Sequence, residues 1–287
     1  MESRLLNILL SAAFLLCSCS KASQEIPEQT NPAQGILSVM SFNVRYLAGD
    51  TGTHSWANRQ KGIYEMLADK KPMVMGVQEA YVSQVNDILT AMPQYKAYAV
   101  SRDGSSSSNE TCGIFYLKDS IALMNVGNFW LSKSPSKVSK GWDAACTRIC
   151  TWALLRIKSS GQKFYIFNTH LDHVGMTARY EGLRLIWSKI DEINKEGLPI
   201  FITGDFNVEP GDSIFEGNPY SSARTEASVT DDEGTYNAFG ASTPKIIDFI
   251  FYRGMDPLTF ETLNEEYAGI EYISDHYPII STFGYRY

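Results

Sequence analysis

Apolar positions along the chain change their period several times, and each change marks an element. An apolar run from Ile36 to Phe42 predicts a strand that stops at Asn43-Val44-Arg45-Tyr46. Ile63, Met66 and Leu67 then recur at helical spacing, and Pro72 ends that helix. Met73 to Val77 predicts a second buried strand, closing in Gln78-Glu79, before helical spacing returns through Val82, Val85, Ile88 and Leu89. The order is strand, helix, strand, helix, with polar residues at each strand's C-terminal end, where open α/β sheets bind ligands.

Beyond Tyr95 the pattern turns β-like. Tyr95 to Val100 predicts a short strand, Ser101 to Asn109 a serine-rich loop, and Gly113 to Leu117 another apolar run just after Glu110. Runs at 121–131, 147–157 and 163–169 predict antiparallel meander strands, with Ser159-Ser160-Gly161-Gln162 as a hairpin loop. The strand from Phe164 ends in Asn168-Thr169-His170-Leu171-Asp172-His173. A helix follows from Thr177 to Asn194, with Leu183, Ile186, Trp187 and Ile190 as its stripe and Gly197 as its stop. Ile200 to Thr203 is a short strand that meets Gly204 and delivers Asp205 and Asn207. Extended backbone puts those two side chains on one side and turns Phe206 into the core. Gly211 to Gly240 is polar and shows no clear period. Ile246 to Tyr252 predicts a strand with Asp248 inside it, and Ser274-Asp275-His276-Tyr277-Pro278 precedes a last strand, Ile279 to Phe283.

The 287 residues are 44% hydrophobic and 12% aromatic, enough for a sizeable core, and neither a repeat nor a linker after residue 35 divides them. A net charge of −7 argues against a surface built for nucleic acid, although bound cations or a local patch can invert a local field. At the start, Arg4 precedes an apolar run from Leu5 to Leu16 and then Cys17-Ser18-Cys19. This is a secretory signal, too short to span a bilayer. Cys19 follows a small residue and has Leu16 three places before it, as in a bacterial lipobox. The expectation is a signal peptide over 1–18, lipidation at Cys19, a flexible tether over 19–35 and one domain over 36–287, anchored to the extracytoplasmic side of a bacterial membrane. Cys112, Cys146 and Cys150 lack metal-site spacing and are taken as ordinary cysteines.

Several predicted strands end in, or carry, a carboxylate, carboxamide or imidazole. An Asp inside the apolar run Ile246-Ile247-Asp248-Phe249-Ile250 needs a partner, because an unpaired buried charge is expensive. Two of only four histidines, His170 and His276, sit at such ends. Six short segments, in order, carry a resemblance: Ser41-Phe42-Asn43, Gln78-Glu79, Asn168-Thr169-His170-Leu171, Gly204-Asp205-Phe206-Asn207, Ile247-Asp248-Phe249-Ile250 and Ser274-Asp275-His276. From Ile36 to Tyr285 the chain resembles the metal-dependent endonuclease/exonuclease/phosphatase superfamily, which includes deoxyribonuclease I, sphingomyelinases and deadenylases.

The resemblance implies a four-layer α-β-β-α sandwich of two mixed, mainly antiparallel sheets. It places Asn43, Glu79 and Asp275 around a divalent cation, Mg²⁺ with Mn²⁺ as a substitute, and Asp205 with Asn207 around the attacking water and any second ion. It makes His276 the essential histidine with Asp248 as its carboxylate partner, and His170 a second one paired with Glu110. Arg59 and Arg148 are candidates for contacts to the substrate phosphate, ordinary salt bridges being the competing reading. The implied reaction is metal-assisted in-line attack of water on a phosphoester, in a monomer acting on small phosphodiesters, lipid head groups, sugar phosphates or stray nucleic acid. The competing functions are a nuclease on DNA or RNA and a catalytically silent ligand-binding lipoprotein. A serine hydrolase is disfavoured because no Gly-x-Ser-x-Gly elbow occurs. The inositol-phosphatase signature is missing too, where Thr243-Pro244-Lys245-Ile246-Ile247 precedes Asp248.

Overall fold

The computed structural model describes residues 34–104 and 109–286. The expected signal peptide, Cys19 as the expected lipidation site and most of the expected tether lie outside them. Ala33–Tyr287 forms one compact unit.

Two six-stranded sheets make the body. The first contains β1 (Gln34–Asn43), β2 (Val74–Tyr81), β3 (Tyr95–Ser101), β4 (Glu110–Leu117), β11 (Asp256–Thr262) and β12 (Ile279–Arg286), in the order β11-β12-β1-β2-β4-β3. The second contains β5 (Ile121–Trp130), β6 (Ile149–Ile157), β7 (Lys163–His170), β8 (Ile200–Asp205), β9 (Ser221–Ser222) and β10 (Asp248–Arg253), in the order β5-β6-β7-β8-β10-β9. Among the described strands, β1–β2 and β7–β8 pair in parallel and the other pairings are antiparallel. The helices are α1 (Trp56–Lys70), α2 (Val82–Ala91), α3 (Met176–Ile193) and the short α4 (Ala223–Glu226).

Period-two alternation gives each strand two destinations. On β1, Leu37 and Val39 meet Phe164, Ile166 and Phe201 of the second sheet in the central core. Met40 and Phe42 of β1 point the other way, to Ile63, Met66 and Leu67 of α1 and Val85 and Ile88 of α2. The outer face of the second sheet packs Tyr165, Phe167, Ile200 and Ile202 on Leu183, Ile186 and Ile190 of α3. The layers therefore run helices, sheet, sheet, helix, which is the sandwich the sequence implied.

That alternation also positions the chemistry. Asn43, His170, Asp205 and Asp248 share the phase of the central-core residues on their own strands, so they face the gap between the sheets. Each lies at the same end of its strand pair. His170 is in register with Asp205, and Asp205 with Asp248, forming a row across β7, β8 and β10. Gly204 permits the closeness, since a Cβ there would meet the Thr169 carbonyl oxygen at 2.5 Å.

Candidate active site

A buried polar layer forms the floor. Asn168 donates from Nδ2 to the carbonyls of Val77 and Gly113, both at 2.9 Å, so the second sheet is tied to the first. Its Oδ1 accepts from Gln78 Nε2 at 2.6 Å and from Thr203 Oγ1 at 3.1 Å. Gly76 leaves room for this bridge, because a Cβ there would collide with both Thr203 and Asn168. Buried groups satisfied in this way hold a register as well as a site.

Above the floor opens a cleft of about 700 Å³. Glu79 reaches it through a local distortion. The β2–β4 register slips between Gln78 and Tyr81, and Glu79 has φ 66°. Without that kink Glu79 would keep the outward phase of Met75 and Val77. Arg45 (φ 61°) and Asn207 (φ 54°) adopt the same left-handed backbone. Non-glycine residues held there cluster where function over-determines them.

Asn43 donates from Nδ2 to Glu79 Oε1 at 3.0 Å and to Asp205 Oδ2 at 3.1 Å, while its Oδ1 accepts from Arg45 N–H. Asp205 Oδ2 lies 3.3 Å from His170 Nε2 and 3.7 Å from His276 Nε2, and Asp205 Oδ1 accepts from Asn207 N–H at 2.9 Å. Asn207 Nδ2 is 3.0 Å from His170 Nε2. His276 donates from Nδ1 to Asp248 Oδ2 at 2.8 Å. Burial opposes charge on His276, but Asp248 and Asp205 outweigh it and push the imidazole up to about 10. His170 moves the other way. Burial holds it well below its ordinary range, and the charges of Arg148 and His276 add to that.

The acids identify what is missing in charge. Burial, with the charges of Asp248 and Glu79, pushes Asp205 up to about 7 against the pull of His276. Burial and Glu79 also raise Asp275. Carboxylates that raise one another are short of positive charge, and a hard divalent cation supplies it. Glu79, His170 and Asp205 offer ligand atoms all within 4.8 Å of one another, as do Asp205, Asp248 and His276. A third such group, Cys146, Asp172 and His173, does not suit a cation, because the Arg148 guanidinium contacts both Asp172 and His173.

Two expectations need correction. Arg59 does not line the cleft, and among the described residues no carboxylate forms an ion pair with it. It is buried along α1 and donates to the carbonyls of His54 (2.7 Å), Val44 (3.0 Å) and Ile273 (2.7 Å), so it pins the loops that carry Arg45 and Ser274. Burial lowers that guanidinium to about 10. Glu110 is not the hydrogen-bond partner of His170 but meets Arg102 Nη1 at 2.5 Å. Against that pair, burial and the charge of Glu79 push its carboxyl up to about 7. Arg148 does line the cleft, bound to Asp172 at 3.3 Å. Cys112, Cys146 and Cys150 are free thiols.

Other contributors were missed. Arg45 holds Asp275 at 3.0 Å and Asp50 at 2.8 Å. Its place two residues after Asn43, at a strand end, was the available signal. Thr235 donates to Asp248 Oδ2 at 2.6 Å, so two donors converge on one oxygen. Its segment makes bridges from Tyr236 to both Lys245 and His276, and the Tyr236 ring packs 5.0 Å from the His276 ring. No sequence period marks it.

A protein from Bacteroides vulgatus described as endonuclease/exonuclease/phosphatase has a structure similar to this one, at 32% identity and TM-score 0.82, covering 87% of this chain and 98% of that one. A mannosyl-6-phosphatase from Bacteroides thetaiotaomicron is similar at 30% identity and TM-score 0.80, covering 85% and 98%. Human Nocturnin is 21% identical over 260 residues, which is 80% of this chain and 58% of that protein. The chain spans less than two thirds of the length of the nocturnins it matches. Residues 40–276 match the Endonuclease/Exonuclease/phosphatase family, a stretch that runs from within β1 to His276 and so holds the whole cluster just described. The chain belongs to that family, whose members are phosphoester hydrolases dependent on a divalent metal.

Proposed function

We propose that the protein is an extracytoplasmic, lipid-anchored hydrolase of small phosphoesters, working with Mg²⁺ and with Mn²⁺ as a substitute. The observation that carries the reading is the meeting of Glu79, His170, Asp205 and His276 in one cleft from segments far apart in sequence. The activity of the similar mannosyl-6-phosphatase supports a phosphomonoester, and the net charge of −7 weighs against nucleic acid.

Glu79 and Asp275 would hold the cation, with Asp205 beside them, and Asn43, whose Nδ2 faces Glu79 and Asp205, would orient those carboxylates. Bound there, it would neutralise charge on the phosphoryl oxygens. Asp205 and Asn207 orient the attacking water. Asp205, held through Oδ1 by the Asn207 N–H, accepts the water's proton. His276 stays protonated well above neutrality and is therefore a donor to the phosphoryl group, not a base. A bond forms between the water oxygen and phosphorus, the ester P–O bond breaks, and the departing alcohol oxygen takes a proton from solvent, to which Asp205 returns the one it accepted. Neutral His170 shapes the wall without adding charge.

The test incubates the full-length protein with phosphomonoesters, phosphodiesters, DNA, RNA and sphingomyelin, with Mg²⁺ and with a chelator. Phosphomonoester turnover that the chelator abolishes is expected. Inertness on every substrate with metal present would leave the ligand-binding reading, and a preference for DNA or RNA would leave the nuclease reading.

A further inference from the structure

The strap that begins at Thr235 brings two consecutive side chains to His276, one behind it and one beside it. Thr235 is buried and spends its hydroxyl on Asp248 Oδ2 at 2.6 Å, behind the imidazole. Tyr236 is half-buried, lines the cleft and sets its ring 5.0 Å from the His276 ring, the two planes at 60°. The Tyr236 hydroxyl bonds to none of the described residues and is not among the buried unpartnered atoms, so it faces the open cleft.

The strap is fixed from both sides. Thr235 and Tyr236 donate their N–H groups to the Lys245 carbonyl at 2.8 and 2.9 Å. Tyr277 N–H donates to the Thr235 carbonyl at 2.7 Å, and Asn237 N–H to the Asp275 carbonyl at 2.8 Å. The chain then turns sharply, with Ala238 at φ 49° and Phe239 at φ 54°, and the Phe239 ring stacks 4.1 Å from that of His54. Left-handed backbone at two successive non-glycine residues persists only where the surroundings impose it. A phenol held in this way has little freedom left to lose when it meets a substrate. It also keeps its proton at neutral pH, and burial, then the charge of Asp275, raises it further.

Contacts run along the cleft from Asn207 to His170 at 3.0 Å, from Asp205 to His276 at 3.7 Å, and from the His276 ring to that of Tyr236. The attacking water belongs to the Asp205 and Asn207 end. Attack in line sends the departing oxygen to the opposite side of phosphorus, toward the Tyr236 end. We propose that Tyr236 is a further catalytic residue, whose hydroxyl donates to the departing alcohol oxygen. The O–H bond of Tyr236 breaks as the alcohol O–H bond forms. The phenolate then regains a proton from solvent, to which Asp205 returns the one taken from the water, so the solvent proton reaches the alcohol through Tyr236. An alkoxide is a far stronger base than a phenolate, and the transfer runs downhill. The proposal rests on the phosphoester-hydrolase reading and adds a donor on the leaving side of the same cleft.

The experiment measures kcat/KM of the full-length protein with Mg²⁺ on two esters. One is an alkyl phosphate, whose leaving alkoxide needs a proton, and the other is p-nitrophenyl phosphate, whose leaving group is stable as an anion. It compares the wild type with Tyr236→Phe, which keeps the ring against His276, and thermal melts verify the fold. The ratio of the two esters is unaffected by any unfolded fraction. The expected result is a loss of about 10²-fold on the alkyl phosphate, as for removal of a general acid, with p-nitrophenyl phosphate nearly unchanged. Equal loss on both esters would make Tyr236 a packing residue and overturn the proposal, as would no loss on either. A folded wild type inert on both esters would sink the hydrolase reading, and the role of Tyr236 with it.

Discussion

His170 and His276 line one cleft, are 7% and 4% exposed, and stand in opposite charge states. Burial disfavours the imidazolium of each. The neighbours make the difference. His276 has Asp248 at 2.8 Å behind its Nδ1, whereas His170 faces the charges of Arg148 and His276. Residue type and strand position marked both alike as strand-end histidines; only the family resemblance gave them different partners, Asp248 for His276 and Glu110 for His170. An imidazole's role is set by what meets its ring nitrogens, so two like residues in one pocket can supply a donor and a neutral wall.

Breaking the His276 side should have the largest effect. Asp248→Asn removes the charge that holds the proton on His276, and turnover should fall by about 10³-fold, within the usual range for loss of an acid–base group. The alkaline limb of the pH–rate profile should also move to lower pH, and a profile that stays in place would detach Asp248 from His276.

Metal comes next. Asp205 is raised from 3.8 to about 7 and His276 from 6.5 to about 10, so in both cases the folded protein holds its proton more tightly. The contribution of Asp205 is complete below pH 3.8 and disappears as pH rises through 7. That of His276 is complete below pH 6.5 and disappears as pH rises through 10. The metal-free protein should therefore melt at progressively lower temperature from pH 7 to pH 10. A divalent cation at a hundred times its Kd should restore about 2.7 kcal/mol. A melting temperature indifferent to the cation would contradict a built cation site.

Thr235→Val should cost about tenfold in kcat with KM little changed, by removing one of the two donors on Asp248 Oδ2, and Thr235→Ser should recover it. Equal loss in Val and Ser variants would make Thr235 a packing residue. The smallest effect tests the His170 side. Arg148→Met should raise the His170 titration midpoint in the metal-free protein, read by NMR, yet leave it below the ordinary histidine range, because burial remains the larger cause.

Much of the fold was legible because strands and helices announce themselves by period. The expected helix at 177–194 runs Met176–Ile193, and the expected meander runs became β5, β6 and β7. β11 was not seen. It carries Pro257 near its start and a register shift beside it, as an edge strand tolerates, so its pattern is broken. The strap at 235–237 was not seen either, since backbone bonds to Lys245 and Asp275 hold it in place of an apolar stripe.

The sequence by itself determined the alternation, and through it the phase that turns Asn43, His170, Asp205 and Asp248 toward the gap between the sheets. Residue type and strand period suffice for that, because side-chain direction in a strand is a local property. Tertiary structure alone decided the partners. It turned Arg59 into a clamp on carbonyls, gave Glu110 to Arg102 and not to His170, and kinked β2 so that Glu79 points inward. Charge and hydrogen bonding act over a few ångströms between residues far apart in the chain, and only the packed fold sets those distances.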